Sequence, residues 1–417
     1  MKILKSRLNQ NIFYLFIVQI SRYALPLVTF PYLVRVLGPT GFGVLGFCQA
    51  TIQYFVILTE YGFNYTGTEL ISHNRENKEK ITQIFWGVTI ARLVLMSIGF
   101  IVLFFLVLLV PSYFEFWPIF IALTPTVIGA AIYPSWFFQG VEEMKFISFC
   151  TLIARFISVP AIFVFVKESQ DIWIAALLQG AVMLLSGVLG CYILIKKKWV
   201  GKVCFDKIII LDLFKQGWYV FVSTSAISLY TTSTTVILGF ICGPVAVGYF
   251  NAANTIRNAA QGLLTPVSQA LFPRIGFLYK EDYKKAELLL RKSVKVLGGL
   301  ALIGSSLLFI SSPLVIKYLV GSNYTQSVMV LHCLAFVPLF VTLSNIFGVQ
   351  TMLTHGYKRE FSKIIIASGV LNLIILFPLV SFYEETGAAL ATLATEFFVF
   401  ISMYLFLRCR KVVFHKL

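Results

Sequence analysis

The chain has 417 residues, of which 58% are hydrophobic and only 12% charged, with a formal net charge of +16 and a mean hydropathy of +0.86. Soluble domains carry about 25% charged residues, so this length is not read as two or three soluble domains, and lipid is the expected solvent. The basic residues cluster between apolar runs and form no nucleic-acid motif, which points to membrane topology rather than to DNA or RNA.

A spanning helix needs about 20 apolar residues. Twelve segments qualify, near 10–34, 43–64, 83–110, 117–138, 147–167, 172–195, 215–241, 245–272, 294–320, 328–353, 362–382 and 387–408. The basic start, Met1 to Leu8, leads into the first run without a small-residue cleavage site, so that run is expected to be a retained helix. The fold class is therefore an all-α polytopic membrane protein. The seven cysteines form no CxxC pair, and neither a metal site nor a disulfide framework is indicated. No cofactor is expected.

With twelve spans, the N-terminus and the even-numbered connections share one side. Most of the 34 lysines and arginines fall there, against only Arg35, Lys167 and Lys317 opposite. The positive-inside rule then puts both termini in the cytoplasm. The mid-chain connection at 196–214, which contains KKKWVGKVCFDK, reads as a basic cytoplasmic linker between six-helix halves at 1–195 and 215–417. Its lysines equally suit anionic headgroups.

An internal echo supports two halves. Gly38-Pro39-Thr40-Gly41-Phe42-Gly43 opens the second span and Gly243-Pro244-Val245-Ala246-Val247-Gly248 opens the eighth, both reading Gly-Pro-x-x-x-Gly. A second echo sets the Gly140 turn opposite the Gly356 turn. Two six-helix bundles of the same topology around a central cavity are what a parallel-repeat transporter requires.

Polar residues inside the spans are the functional candidates. Arg257 sits mid-span on a stripe with Asn251, Asn254, Asn258, Gln261, Thr265 and Ser268, opposite Val247, Phe250, Ile256, Leu263 and Leu264, which are expected to face lipid. Arg22 is about twelve residues, roughly 18 Å, from either end of the first span, too deep to snorkel, and shares a face with Gln19. Arg22 and Arg257 are expected to line an aqueous cavity, the alternative being structural ion pairs with Glu60 or Glu396. Arg92 and Arg155 lie nearer helix ends, where snorkelling competes with a cavity role. Gln49 and Gln53 share the Glu60 stripe on span 2. All four aspartates (171, 206, 212, 282) lie in or beside loops, so the interior carries a positive excess that attracts an anionic ligand. Glu60, Glu396 and His332 are the candidates for carrying a coupling proton. The hydroxyls of Ser223 to Thr235 suit helix packing as well as a sugar.

The run Pro26–Phe47, PLVTFPYLVRVLGPTGFGVLGF, with twelve spans, the duplication and the basic linker, resembles the Wzx-type polysaccharide flippases of the multidrug/oligosaccharidyl-lipid/polysaccharide exporter superfamily. The similarity covers the whole chain. It implies a transporter, not an enzyme, that carries an undecaprenyl-pyrophosphate-linked oligosaccharide across the bacterial cytoplasmic (inner) membrane by alternating access, for O-antigen (lipopolysaccharide) or a related polymer. Membrane lipid, a polysaccharide polymerase and a chain-length regulator are the further partners it implies. In that superfamily the lipid II flippase has cavity arginines on its first and eighth helices, where Arg22 and Arg257 lie here.

Two other classes are weighed against this. A drug/cation antiporter of the same superfamily predicts intramembrane acids outnumbering bases, and the sequence shows the reverse. A polytopic polysaccharide polymerase is expected to present catalytic residues in a sizeable outer loop, and the outer connections here are short and poor in Asp and His.

Overall fold

The computed structural model describes the backbone of residues 2–410 and 412, and side chains from Leu27 onward except at 229, 230, 266, 267, 269, 270, 272, 273 and 280. The chain runs through α1 (Lys2–Glu60), α2 (Phe63–His73), α3 (Lys78–Leu109), α4 (Pro111–Phe114), α5 (Trp117–Ile132), α6 (Ser135–Gly140), α7 (Lys145–Phe165) and α8 (Ile172–Lys196). It continues through α9 (Lys207–Thr231), α10 (Ser233–Gly262), α11 (Thr265–Glu281), α12 (Tyr283–Ser293), α13 (Gly299–Val315), α14 (Gln326–Leu334), α15 (Val337–Ser344) and α16 (Lys358–Cys409). Wider π turns at Val294–Gly298, Ile316–Val320 and Asn345–Met352 join the later helices. Among the described residues there is no strand.

Nine elements among the described residues are long and apolar enough to cross a bilayer. Their outward faces are greasy. On α13 the exposed side chains Ile303, Leu307, Ile310 and Leu314 recur at helical spacing, the inverse of a soluble helix, whose apolar stripe turns inward. On α3, Phe104, Phe105, Leu108 and Leu109 are likewise exposed. Soluble monomers rarely expose contiguous apolar patches above a few hundred Å². These faces belong in hydrocarbon, and the protein is a multi-pass membrane protein.

Three long elements are each broken by one residue. Gly38 (φ 66°, ψ 177°) breaks α1 and Gly243 (φ 82°, ψ −177°) breaks α10. Both conformations lie in a region open essentially to glycine alone. In each case a proline then opens the next rod, where its missing N–H costs nothing. The two Gly-Pro-x-x-x-Gly motifs thus share one backbone form. Glu384 (φ 48°) breaks α16 between the two runs read as separate spans.

By density of contacts the chain divides into two units. One comprises Met1–Leu37 and Phe47–Ser225, the other Gly38–Gly46 and Ala226–Leu417. In the first, α5 packs along α8 through glycines: Gly129 lies against the Met183–Leu184 backbone, Gly180 against Thr126 and the Ala122 carbonyl, and Gly187 against Ile132 and the Gly129 carbonyl. Small residues let helix backbones approach closely where lipid gives no hydrophobic drive to associate. In the second unit the two motifs interlock. A Cβ on Gly43 would sit 1.7 Å from the Pro244 carbonyl oxygen, and one on Gly248 would sit 2.1 Å from the Pro39 carbonyl oxygen. Each motif's last glycine is the seat for the other motif's proline carbonyl.

The connections are capped by polar side chains. Asn77 accepts from the Lys80 N–H (3.0 Å) at the start of α3, and Asp282 accepts from the Lys285 N–H (3.1 Å) at the start of α12. Asp206 accepts from Ile208 and Ile209 (2.9 and 3.2 Å). That cap starts α9 at Lys207, so the second half of the connection read at 196–214 is helical. Backbone N–H groups of Lys167 and Glu168 bond the Asp171 carboxylate and hold it below its ordinary value. Ion pairs Arg75–Glu142 (2.7 Å), Lys145–Glu143 (2.8 Å) and Arg291–Glu287 (2.7 Å) also lie between the spans.

The expected continuous helix over 245–272 is two helices. α10 ends at Gly262 and α11 restarts at Thr265. Pro266, in the first turn of α11, has no N–H to donate, so it suits a helix start and not a helix interior. The expected span over 215–241 is likewise interrupted, by a turn at Thr232 between α9 and α10.

Candidate functional site

The candidate site lies in the second unit, on the rod of α10 that follows Gly243. Val247 and Ala252 are fully buried and Phe250 and Ile256 nearly so. That corrects the sequence expectation, which turned Val247, Phe250 and Ile256 toward lipid. Ala252 and Ala253 are fully buried, and α10 packs on both α14 and α16. Leu263 alone of that set is fully consistent with a lipid face, being 79% exposed.

Arg257 is half-buried on the same rod. Its Nη1 donates to Gln261 Oε1 (3.0 Å) and its Nη2 donates to Asn254 Oδ1. Those residues lie one turn to either side, so two carboxamides hold the guanidinium fork against its own helix. Arg257 Nε is buried with no acceptor. Glu396 is half-buried on α16, a helix that packs on α10. The guanidinium is therefore oriented by neutral groups, with Nε buried and unbonded and one further hydrogen on each Nη. This is the donor set that a phosphate oxygen takes up.

One helical turn further on, a cavity of ~110 Å³ opens between the α10–α11 junction and α15. Gln261, Leu264, Thr265 and Ser268 line one wall and Val341, Thr342 and Asn345 the other. Gln350, 1% exposed, donates to Ser268 Oγ (2.9 Å) and leaves its own Oε1 buried without a partner. Thr265 and Ser268 stood on the Arg257 stripe in the sequence. Thr342, Asn345 and Gln350 did not, because they are small or neutral polar residues inside an apolar run and no charge marks them.

Of the other residues on that stripe, Asn251 accepts from Thr235 Oγ1 (3.3 Å) and Asn258 is exposed. His332, on α14, lies with its ring 4.5 Å from that of Phe309.

In the first unit the polar residues are engaged differently. Arg92 is 1% exposed. Its Nη2 donates to Asn64 Oδ1 (2.8 Å), its Nη1 to the carbonyls of Ala130 (3.1 Å) and Tyr133 (3.3 Å), and its guanidinium lies 5.9 Å from the Trp136 ring centre. The carbonyls come from the end of α5, where Tyr133 and Pro134 interrupt the ladder before α6. Here Nη1 and Nη2 are taken by acceptors from other helices, while Nε is buried without a partner as in Arg257, and Arg92 fastens α2, α3 and α5 together. Arg155 is half-buried on α7, Gln53 is exposed and Glu60 half-buried, and Gln49 donates to Gln179 Oε1 (2.7 Å). Arg22 and Gln19 lie outside the residues whose side chains are described.

Comparison with known proteins identifies the relatives. The family model described as "Polysaccharide biosynthesis protein" matches residues 8–278. A protein of Escherichia coli strain K12 named "Putative O-antigen transporter" is 44% identical over 409 residues, covering 98% of this chain and 99% of its own. A Shigella dysenteriae protein of the same name is 30% identical over 396 residues, covering 95% and 99%. Two solved structures share the fold. The lipid II flippase MurJ in an inward closed conformation aligns with TM-score 0.77 at 14% identity, over 95% of this chain and 87% of its own. An inward-facing multidrug resistance MATE family transporter of the MOP superfamily aligns with TM-score 0.74 at 15% identity, over 93% and 94%. At such identities the likeness is one of fold alone.

Proposed function

The chain belongs to the polysaccharide biosynthesis protein family, and from that premise we propose that it translocates a polyprenyl-pyrophosphate-linked oligosaccharide across the bacterial cytoplasmic membrane. The relatives named for O-antigen transport, alike along nearly the whole chain, support the substrate class. The observation that carries the mechanism is Arg257, half-buried in a span, held by carboxamides, with a buried unmatched Nε beside a polar cavity.

The reasoning is electrostatic. A pyrophosphate cannot cross hydrocarbon unaided, whereas its polyprenyl tail is at home there. A guanidinium fork in a site of reduced dielectric offsets the headgroup's lost hydration, and its rigid geometry suits two phosphate oxygens at once. Arg22, on the first span, is the proposed second cation. Glu396, on a helix that packs on α10, is the proposed counter-charge for Arg257 when the headgroup leaves. Glu60 and His332 remain the other candidates for a coupling group. A polymerase and its chain-length regulator would consume the delivered repeat units.

The broken elements support twelve spans in this reading. Splitting α1 at Gly38 and α16 at Glu384, and joining α9 to the part of α10 before Gly243, gives six apolar rods before the mid-chain connection and six after it. Both termini then lie in the cytoplasm, and alternating access follows from rocking of one six-helix half against the other.

Complementation tests the proposal. A strain lacking its own translocase but carrying the matching sugar genes receives wild type, Arg22→Ala, Arg257→Ala and the Lys versions, with membrane protein levels matched. Loss of surface polymer in the Ala variants with partial return in the Lys variants is expected. Full activity of both Ala variants refutes the mechanism.

A further inference from the structure

The cavity beside Arg257 has unused hydrogen-bonding capacity of a particular kind. Gln261 Oε1 accepts from Arg257 Nη1 (3.0 Å), which leaves the two amide hydrogens of Gln261 unclaimed on a cavity wall. Asn345 donates Nδ2 to the Val341 carbonyl (3.1 Å), which fixes its amide orientation and leaves Oδ1 free on the opposite wall. Thr265 and Thr342 donate their hydroxyl hydrogens to the carbonyls of Gln261 (3.2 Å) and Pro338 (2.7 Å), so each turns lone pairs outward. Ser268 accepts from Gln350 Nε2 (2.9 Å) and keeps its own O–H to give. The described lining holds no charged side chain.

Among the described residues the inventory is therefore one free carboxamide N–H₂, one free carboxamide oxygen, one hydroxyl donor and two hydroxyl acceptors, with two apolar contacts from Leu264 and Val341. A phosphate finds nothing cationic in this lining, and an alkyl chain would leave its polar groups unmatched. A sugar ring fits, because its hydroxyls both give and accept. An acetamido group fits the two carboxamides: its carbonyl accepts from Gln261 and its N–H donates to Asn345. The volume of ~110 Å³ is well above the roughly 10–15 Å³ that admits one water.

Position adds the second constraint. Gln261 is shared by both features, bonding Arg257 through one atom and facing the cavity with the other. Four residues of helix separate them, about 6 Å along the axis. That is the separation expected of a sugar ring and the phosphate on its anomeric carbon, seated on neighbouring turns. We infer that this cavity is the seat of the sugar joined directly to the pyrophosphate, and that its two carboxamides select a 2-acetamido sugar there. The inference rests on the diphosphate reading of Arg257 given above.

The test uses the full chain in lipid nanodiscs and three probes: a bare polyprenyl diphosphate, the same lipid bearing one hexose, and the same lipid bearing one N-acetylhexosamine. Binding is read by native mass spectrometry. Wild type should hold the N-acetylhexosamine lipid about tenfold tighter than the hexose lipid, the effect of one net hydrogen bond. Asn345→Leu should erase that preference and leave bare-lipid affinity within about twofold, whereas Arg257→Ala should weaken all three probes. Equal affinity of wild type for the two sugar lipids, with bare lipid still bound and still sensitive to Arg257→Ala, overturns the acetamido seat and leaves the diphosphate reading intact. Binding of none of the probes overturns both. Because the wild-type comparison needs no variant, failure of Asn345→Leu to fold does not shelter the inference, and Asn345→Gln, which keeps the carboxamide oxygen, should restore part of the preference.

Discussion

Replacing Gly43 by alanine is the sharpest perturbation the structure offers. The added methyl would lie 1.7 Å from the Pro244 carbonyl oxygen, 2.7 Å from its carbon and 2.8 Å from the Gly248 amide nitrogen. Carbon and carbonyl oxygen settle at about 3.3–3.6 Å, so the two segments must part by about 1.6 Å. The obstacle is backbone held by a proline ring, so no rotamer change relieves it. Overpacking of this kind costs about 1–3 kcal/mol where neighbours can adjust, and here the upper end is expected. Gly248→Ala meets the Pro39 carbonyl at 2.1 Å and should cost somewhat less. Both changes open the same clasp, so the double variant should lose less than the sum. Gly276→Ala is the control: nothing lies within 4 Å of its would-be methyl, and alanine inside a helix should gain about 0.5–1 kcal/mol. Thermal unfolding of purified protein gives the ranking. A Gly43→Ala variant that melts at or above wild type refutes the interlock.

The other perturbations separate structural from functional charge. Arg92→Met leaves Asn64 Oδ1 and the Ala130 and Tyr133 carbonyls short of a donor, each worth about 1–3 kcal/mol. It should lower the yield and melting temperature of folded protein, and diphosphate affinity of the folded fraction should not change; an unaltered melting temperature would show that Arg92 does not fasten these helices. The Lys285 side chain and N–H hold the Asp282 carboxyl below its ordinary value of 3.8. Because the folded value is the depressed one, its support of α12 is complete above pH 3.8 and is lost as pH falls through the lower folded value. Hydrogen exchange at the first amides of α12 should quicken over that acid range in wild type and show no such pH step in Asp282→Asn; equal profiles would count against the cap. Gly38→Ala and Gly243→Ala force a side chain into a glycine-only conformation at about 1–3 kcal/mol each, and comparable losses of melting temperature are expected from the two.

Much of the fold was legible because lipid imposes a simple code of long apolar runs, and because a Gly-Pro pair states its own backbone geometry. The breaks at Gly38 and Gly243 fall where the motif placed them, and Glu384 falls between two apolar runs separated by consecutive acids. The inward face of α10 was misread because Val247, Phe250 and Ile256 look alike to lipid and to a protein core. Only the small, fully buried Ala252 and Ala253 hint at the difference. The engagement of Arg92 was hidden for another reason: two of its acceptors are main-chain carbonyls freed where α5 ends, and carbonyls carry no sequence signature. The cavity wall on α15 was missed because Thr342 and Asn345 are indistinguishable in sequence from small polar packing residues.

Arg257 is proposed to carry a diphosphate headgroup across the membrane. Reconstitution tests it most directly: proteoliposomes containing the full chain and a fluorescent polyprenyl-pyrophosphate-linked oligosaccharide, with arrival at the outer face read by an impermeant quencher. Wild type should move the lipid, Arg257→Ala should move it at least about tenfold more slowly, and Arg257→Lys should lie between, since a point charge replaces a bidentate fork. Wild-type translocation by Arg257→Ala at equal protein density would contradict the account.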